Sequence, residues 1–97
     1  MEFRHTTNVN GTRLQGYVRT TFNKLIEVFD APNIGKGDKT NAEWGLRFAD
    51  GTIATIYDWK EALIPTKEYA WHIGGHDSNA VKRVCSTLGV LPVHSNF

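Results

Sequence analysis

Two alternating segments on either side of an Asp-Gly dipeptide constrain the fold of this chain more than any other feature. In AEWGLRFADGTIATIYDW, apolar residues alternate with polar or small ones both before and after Asp50-Gly51. Such alternation is typical of strands with one buried face, and Asp-Gly is favoured in tight hairpin turns. This segment therefore predicts a β-hairpin.

Further strands are predicted on both sides of this hairpin. The segment YAWHI, from Tyr69 to Ile73, alternates again and predicts the third strand of a meander. Near the N-terminus, FRHTTNVNGTRLQGYVRT places Asn10-Gly11 between flanks rich in Thr, Val and Tyr. Because Asn-Gly readily takes two positive φ values, we expect an N-terminal hairpin there.

Two segments have the apolar spacing i, i+3, i+4, i+7 of an amphipathic helix. Thr21 can cap the first helix and Pro32 prevents its continuation, whereas Asp77 or Ser78 can cap the second and Gly89 ends it. The apolar positions are Phe22, Leu25, Ile26 and Phe29 in the first helix, and Val81, Val84, Cys85 and Leu88 in the second.

The predicted fold is a single α+β domain over residues 1–97, with element order ββαβββα. It consists of an antiparallel sheet of about five strands, an N-terminal hairpin plus a three-strand meander, with both helices packed on one face. A sheet this small has open edges, so we expect a homo-oligomer. The aperiodic end of the chain, VLPVHSNF, is expected to be a loose tail or an arm that packs on a neighbour.

Charge and cysteine content exclude several classes of protein. The 11 basic and 10 acidic side chains give a net charge of +1, which lacks the positive field of a duplex-DNA binder. The single Cys85 cannot form an internal disulfide, and no N-terminal apolar run resembles a signal peptide or a membrane span. We therefore expect an intracellular protein with neither a membrane nor duplex nucleic acid as its partner.

Residues that could catalyse a reaction are sparse. Zinc sites need three or four convergent ligands, and only His72, His76 and Asp77 are close in sequence, in a strand-to-loop context that does not place them on one face. Cys85 falls in an apolar helical stripe, which favours a buried structural thiol. No nucleophile-elbow, phosphate-loop or dinucleotide motif occurs. We predict no catalytic residue, no metal and no cofactor.

The segment WHIGGHDSNAVKRV offers a different kind of site. Glycines let backbone amides approach a ligand closely, and the start of a helix presents unpaired N–H groups, so residues 74–78 could hold an anion. The same residues would also serve as a sharp turn with no ligand. The candidate ligand-binding residues are Arg19, Arg47, Trp71, His72, Gly74, Gly75, His76, Asp77, Ser78, Lys82 and Arg83.

Three motifs together resemble a group of small bacteriophage proteins. These motifs are EVFDAPN, AEWGLRFADGTIATIYDWK and WHIGGHDSNAVKRV, and the resemblance covers residues 21–84. Within that group the chain is most similar to the first type of Thoeris anti-defence protein. One departure is Phe29-Asp30-Ala31-Pro32, which replaces a glycine-containing helix end.

The resemblance implies a non-enzymatic sponge that oligomerises and sequesters a cyclic nucleotide signal in the cytoplasm of the infected bacterium. The signal would be a cyclic ADP-ribose isomer, and cyclic oligonucleotides are a second possibility. Two alternatives stay open: a phage inhibitor that binds a host defence or transcription protein directly, and a small nucleotide-cleaving enzyme that uses His72, His76 and Asp77.

Overall fold

A computed structural model describes residues 2–92 and confirms the α+β fold with element order ββαβββα. Residues 93–97, which belong to the predicted tail, lie outside the described residues. None of the helices in residues 2–92 is long and apolar enough to cross a membrane. The elements are β1 Phe3–His5, β2 Arg13–Thr20, α1 Phe22–Phe29, β3 Glu43–Phe48, β4 Ile53–Tyr57, β5 Tyr69–Gly75 and α2 Asn79–Leu88.

All five strands form one antiparallel sheet in the order β1-β3-β4-β5-β2. The predicted meander of β3, β4 and β5 is confirmed, including the turn at Gly51, where φ is 90°. Among residues 2–92 this sheet has two edge strands. One is the short β1, and the other is the eight-residue β2.

The predicted N-terminal hairpin is wrong, because β1 and β2 lie at opposite edges of the sheet. A turn does form at Asn10-Gly11, and Thr12 donates its backbone N–H to the carbonyl of Val9. However, residues 6–12 carry the chain across the sheet instead of back along β1. Phe3 pairs with Phe48 in β3 and packs against the ring of Phe29, so non-local contacts decide the partner of β1.

Both helices begin and end as the sequence predicts. The Thr21 hydroxyl accepts the backbone N–H of Lys24 at the start of α1. At the start of α2 the Ser78 side chain makes no capping bond, and the Asp77 carboxylate accepts the N–H of Asn79 instead. Gly89 ends α2 in the left-handed conformation, at φ 76°.

The core lies between the two helices and one face of the sheet. Cross-strand register places Trp44, Ile56 and Ile73 side by side on this face. The indole rings of Trp44 and Trp71 meet edge to face with centroids 5.7 Å apart, and α1 and α2 cover them with Leu25, Phe29, Val84 and Leu88. The opposite face, called the open face here, carries no helix.

Candidate functional site

Gly74 and Gly75, which were predicted to hold an anion through their backbone amides, instead allow close packing. Gly74 and Gly75 lie inside β5, which is paired with β4 on one side and β2 on the other, so their backbone groups face neighbouring strands. A Cβ atom on Gly75 would overlap the Cβ of Ala80, and one on Gly74 would overlap the hydroxyl of Thr55. The prediction that these amides form an accessible anion-binding site is therefore wrong.

Trp71 was also wrongly predicted to contact a ligand. Its side chain is completely buried beneath the helices, and its indole N–H donates to the carbonyl of Thr20 over 3.2 Å. The ring stacks on Phe22 and meets Trp44 edge to face. Trp71 is thus part of the core.

The predicted basic residues are dispersed over the surface. Arg83 pairs with Asp50 over 2.8 Å, Arg19 pairs with Glu68 over 3.2 Å, and Lys82 is exposed on α2. Hydrogen bonds from the backbone and side chain of Thr52, together with one from Arg83, lower the pKa of Asp50 to about 2. These three cations do not converge with the glycine segment on one phosphate.

Two predicted residues do come together on the open face. Arg47 and His76 line one depression of about 430 Å³, called the basic depression, at the end of the sheet where β3 turns into β4. A second depression of about 250 Å³ adjoins Arg47 on its other side and is also lined by Arg4 and Glu2. The remaining residues that line the basic depression are Thr6, Asn8, Asn10, Gly51 and Ile53.

The crossing segment, residues 6–12, passes over the open face next to Gly45. A Cβ atom at this glycine would overlap the carbonyl oxygen of Thr6 and crowd Val9, so Gly45 lets the segment lie directly on the sheet. The Asn33 side chain links the crossing segment to β3, because it donates to the carbonyl of Thr6 and accepts the N–H of Gly45. Residues 6, 8 and 10 of the crossing segment line the basic depression, and residue 12 lines a different depression.

That different depression, called the aromatic depression, has a volume of about 230 Å³. Tyr57 and Trp59 meet there edge to face, with ring centroids 6.3 Å apart. Behind them, His72 lies 5.3 Å from the Tyr57 ring and 4.8 Å from the Tyr17 ring. The lining residues are Thr12, Arg13, Thr40, Glu43, Thr55, Tyr57, Trp59 and Gly74.

His72 supports these rings as a neutral side chain. Burial lowers its pKa, against a smaller opposing effect of Asp58, so the imidazole is uncharged at neutral pH. Its Nδ1 atom is buried and has no hydrogen-bond partner among the described residues. His72 contacts the aromatic depression and His76 lines the basic one, and no cluster of three potential metal ligands occurs in residues 2–92.

Two acidic residues beside the aromatic depression were missed from the sequence. The Asp58 carboxylate is completely buried and accepts the backbone N–H groups of Asn41 and Ala42 and the Asn41 amide, over 2.8 to 3.1 Å. Burial, and then the nearby charge of Asp58, raises the pKa of Glu43. The only sequence signal was a carboxylate at the end of a buried strand, in YDW.

No family model, curated protein or solved structure matches this chain. The resemblance to the Thoeris anti-defence family therefore stays a prediction that rests on the motifs in residues 21–84. The crossing segment borders both the basic depression and the aromatic depression on the open face.

Proposed function

We propose that this protein captures an intact phosphate-bearing signal of the nucleotide class, without cleaving it, in the basic depression. The observation that carries the proposal is the pairing of Arg47, which lines the basic depression, with Arg4, which lines the adjoining one. The two residues lie directly opposite each other in the register of β1 and β3, and both are exposed. Neither has a carboxylate within ion-pair distance among residues 2–92, unlike Arg19 and Arg83.

Like charges directly opposite in an antiparallel pair cost stability, on the order of 0.2–1 kcal/mol. A bound phosphate removes that repulsion and accepts parallel N–H bonds from each guanidinium group. The free protein is thus prepared for an anion at this position. Glu2 and Arg4 line the adjoining depression and Asn8 and His76 line the basic one, so we place the phosphate at Arg47, the arginine that both depressions share.

The basic depression has the size and the polar groups that a nucleotide fragment requires. Its volume of about 430 Å³ falls in the range of small-molecule sites, roughly 300–1,000 Å³. Asn8 and Asn10 offer amide donors and acceptors for ribose hydroxyls, and His76 offers a ring nitrogen. Ile53 supplies an apolar surface in the same wall.

The resemblance to the Thoeris anti-defence proteins supports the same class of ligand. It favours a cyclic ADP-ribose isomer as the signal and the cytoplasm of a phage-infected bacterium as the setting. The positions of β1 and β2 as edge strands in residues 2–92 support a homo-oligomer, because a second copy can cover an edge strand. The arginine pair lies beside the β1 edge, so a neighbouring copy there would also enclose the ligand.

Calorimetric titration of the pure protein with cyclic ADP-ribose isomers and cyclic di- and trinucleotides tests the proposal. We expect one member to bind, and Arg47→Ala to weaken its binding about 10- to 100-fold, as for the loss of a charged hydrogen-bonding group. Arg19→Ala is the matched control, since Arg19 is also an exposed strand arginine but pairs with Glu68 at a distant edge. Absence of binding to every member, or equal losses in both variants, contradicts the proposal.

A further inference from the structure

The aromatic depression contains a carboxylate that has no ion-pair partner among residues 2–92. Glu43 lines it, and the buried Asp58 lies close enough to raise the pKa of Glu43. Asp58 accepts only amide N–H groups, and neither carboxylate has a Lys, Arg or His partner within ion-pair distance in the described part of the chain. The Glu43 carboxylate accepts no hydrogen bond from residues 2–92 either. A cation bound here would find a charge that the fold has left unpaired.

The walls of the depression are also suited to a cation. Tyr57 and Trp59 present π systems, whose faces attract positive charge when it lies within about 6 Å. Trp59 is 41% exposed, and the Lys60 ammonium already lies 5.8 Å from its ring centroid. The chain's own lysine thus occupies the kind of position over an aromatic face that a ligand cation would take.

The charged groups nearby set the limits of this site. Arg13 also lines the depression and Lys60 lies at its rim, so a ligand cation must remain closer to Glu43 than to either of them. His72 adds no opposing charge, because burial keeps its imidazole neutral. The volume of about 230 Å³ is below the usual range for drug-sized ligands and is sufficient for a single head group.

From this arrangement we propose that the aromatic depression is a second binding site, for a compact organic cation such as a trimethylammonium or guanidinium head group. Glu43 supplies the countercharge, Tyr57 and Trp59 supply the aromatic walls, and the hydroxyls of Thr40 and Thr55 complete the lining. This site does not depend on the proposed anion site, from which the crossing segment separates it. The cation is free in solution or is the end of a side chain on a partner peptide.

Choline and its neutral isostere 3,3-dimethylbutan-1-ol are the probes that test for charge recognition at equal shape. We expect choline to shift the indole NMR signal of Trp59 in a saturable titration, and the isostere to bind about 10-fold or more weakly. A parallel titration with N-acetylarginine methylamide distinguishes a peptide side chain from a free quaternary cation. Equal binding of choline and the isostere, or no binding by any cation, overturns the proposal.

Glu43→Gln separates recognition from a structural role. We expect it to lower choline affinity about 10-fold or more while the midpoint of thermal unfolding stays the same or rises, because the charged carboxylate is partly desolvated. Glu68→Gln is the matched control and should keep full affinity, because Glu68 is an exposed acid in the loop before β5 and does not line the aromatic depression. Arg47→Ala should also keep it, so failure of the anion site and failure of this site are distinguishable. Unchanged choline affinity in Glu43→Gln overturns the assignment of the countercharge.

Discussion

Replacing Asp58 tests whether one buried carboxylate holds the loop between α1 and β3 against the sheet. Asp58→Ala removes an acceptor that receives the N–H groups of Asn41 at 2.8 Å and Ala42 at 3.1 Å. The Asn41 amide keeps its bond to the Glu61 carbonyl, so two backbone donors lose their partner. At about 1–3 kcal/mol for each donor left without a partner, the free energy of unfolding should fall by about 2–6 kcal/mol.

For a domain of this size the loss corresponds to a fall of about 10–30 °C in the unfolding midpoint. Circular dichroism melts at pH 7 measure it. Asp58→Asn keeps one acceptor oxygen for the backbone and should fall between the wild type and Asp58→Ala. Asp38→Ala is the control, because Asp38 is an exposed acid in the same loop, and its midpoint should stay close to that of the wild type. If Asp58→Ala and Asp38→Ala have the same unfolding midpoint, the Asp58 carboxylate does not anchor the loop.

Three further outcomes follow from burial and packing. The raised pKa of Glu43 means that its charged form opposes folding, so Glu43→Gln should raise the free energy of unfolding at pH 7. Urea melts should show this gain shrinking as pH falls through the raised pKa and absent below about 4.5, the ordinary value. Gly75→Ala should cost more than Gly16→Ala in the same melts, by about 1–3 kcal/mol, because its new methyl group would overlap the Ala80 Cβ and crowd the Ile53 carbonyl, whereas that of Gly16 would meet a γ-methyl of Val81 at 2.9 Å; equal losses contradict this. Burial raises the pKa of the Cys85 thiol to about 11, so a thiol reagent at pH 8 should label the folded protein far more slowly than the urea-unfolded chain, and rapid labelling of the native state would contradict its burial.

The elements that could be predicted are those whose signal is local. The apolar period of Phe22 to Phe29 and the cap at Thr21 are properties of one segment, and the structure has the same helix. The meander likewise follows from alternation and a turn at Gly51. The partner of β1 could not be predicted, because Asn10-Gly11 specifies a turn but not the direction that the chain takes after it.

The candidate site was predicted less well, because its residues come from distant segments. Arg47 and His76 were predicted and do share a depression, but Arg4, which lies opposite Arg47 through the register of β1 with β3 and lines the adjoining depression, was not predicted. Gly75 was wrongly predicted to bind a ligand, because its close approach to Ala80 is a tertiary contact that the local sequence does not show. Trp71 was a different error, since it alternates with Tyr69 and Ile73, and that pattern already favoured burial in the core.

The most direct measurement of the central claim is the recovery of ligand from a stoichiometric complex. The pure protein is mixed with a cyclic ADP-ribose isomer that binds in calorimetry, freed of unbound compound by gel filtration and then denatured by heat. Mass spectrometry and chromatography identify and quantify what is released. We predict the unaltered compound, in fixed proportion to protein, and a marked reduction in the amount retained by Arg47→Ala but not by Arg19→Ala. A compound of changed mass, or none retained by the wild type, would contradict capture of an intact signal.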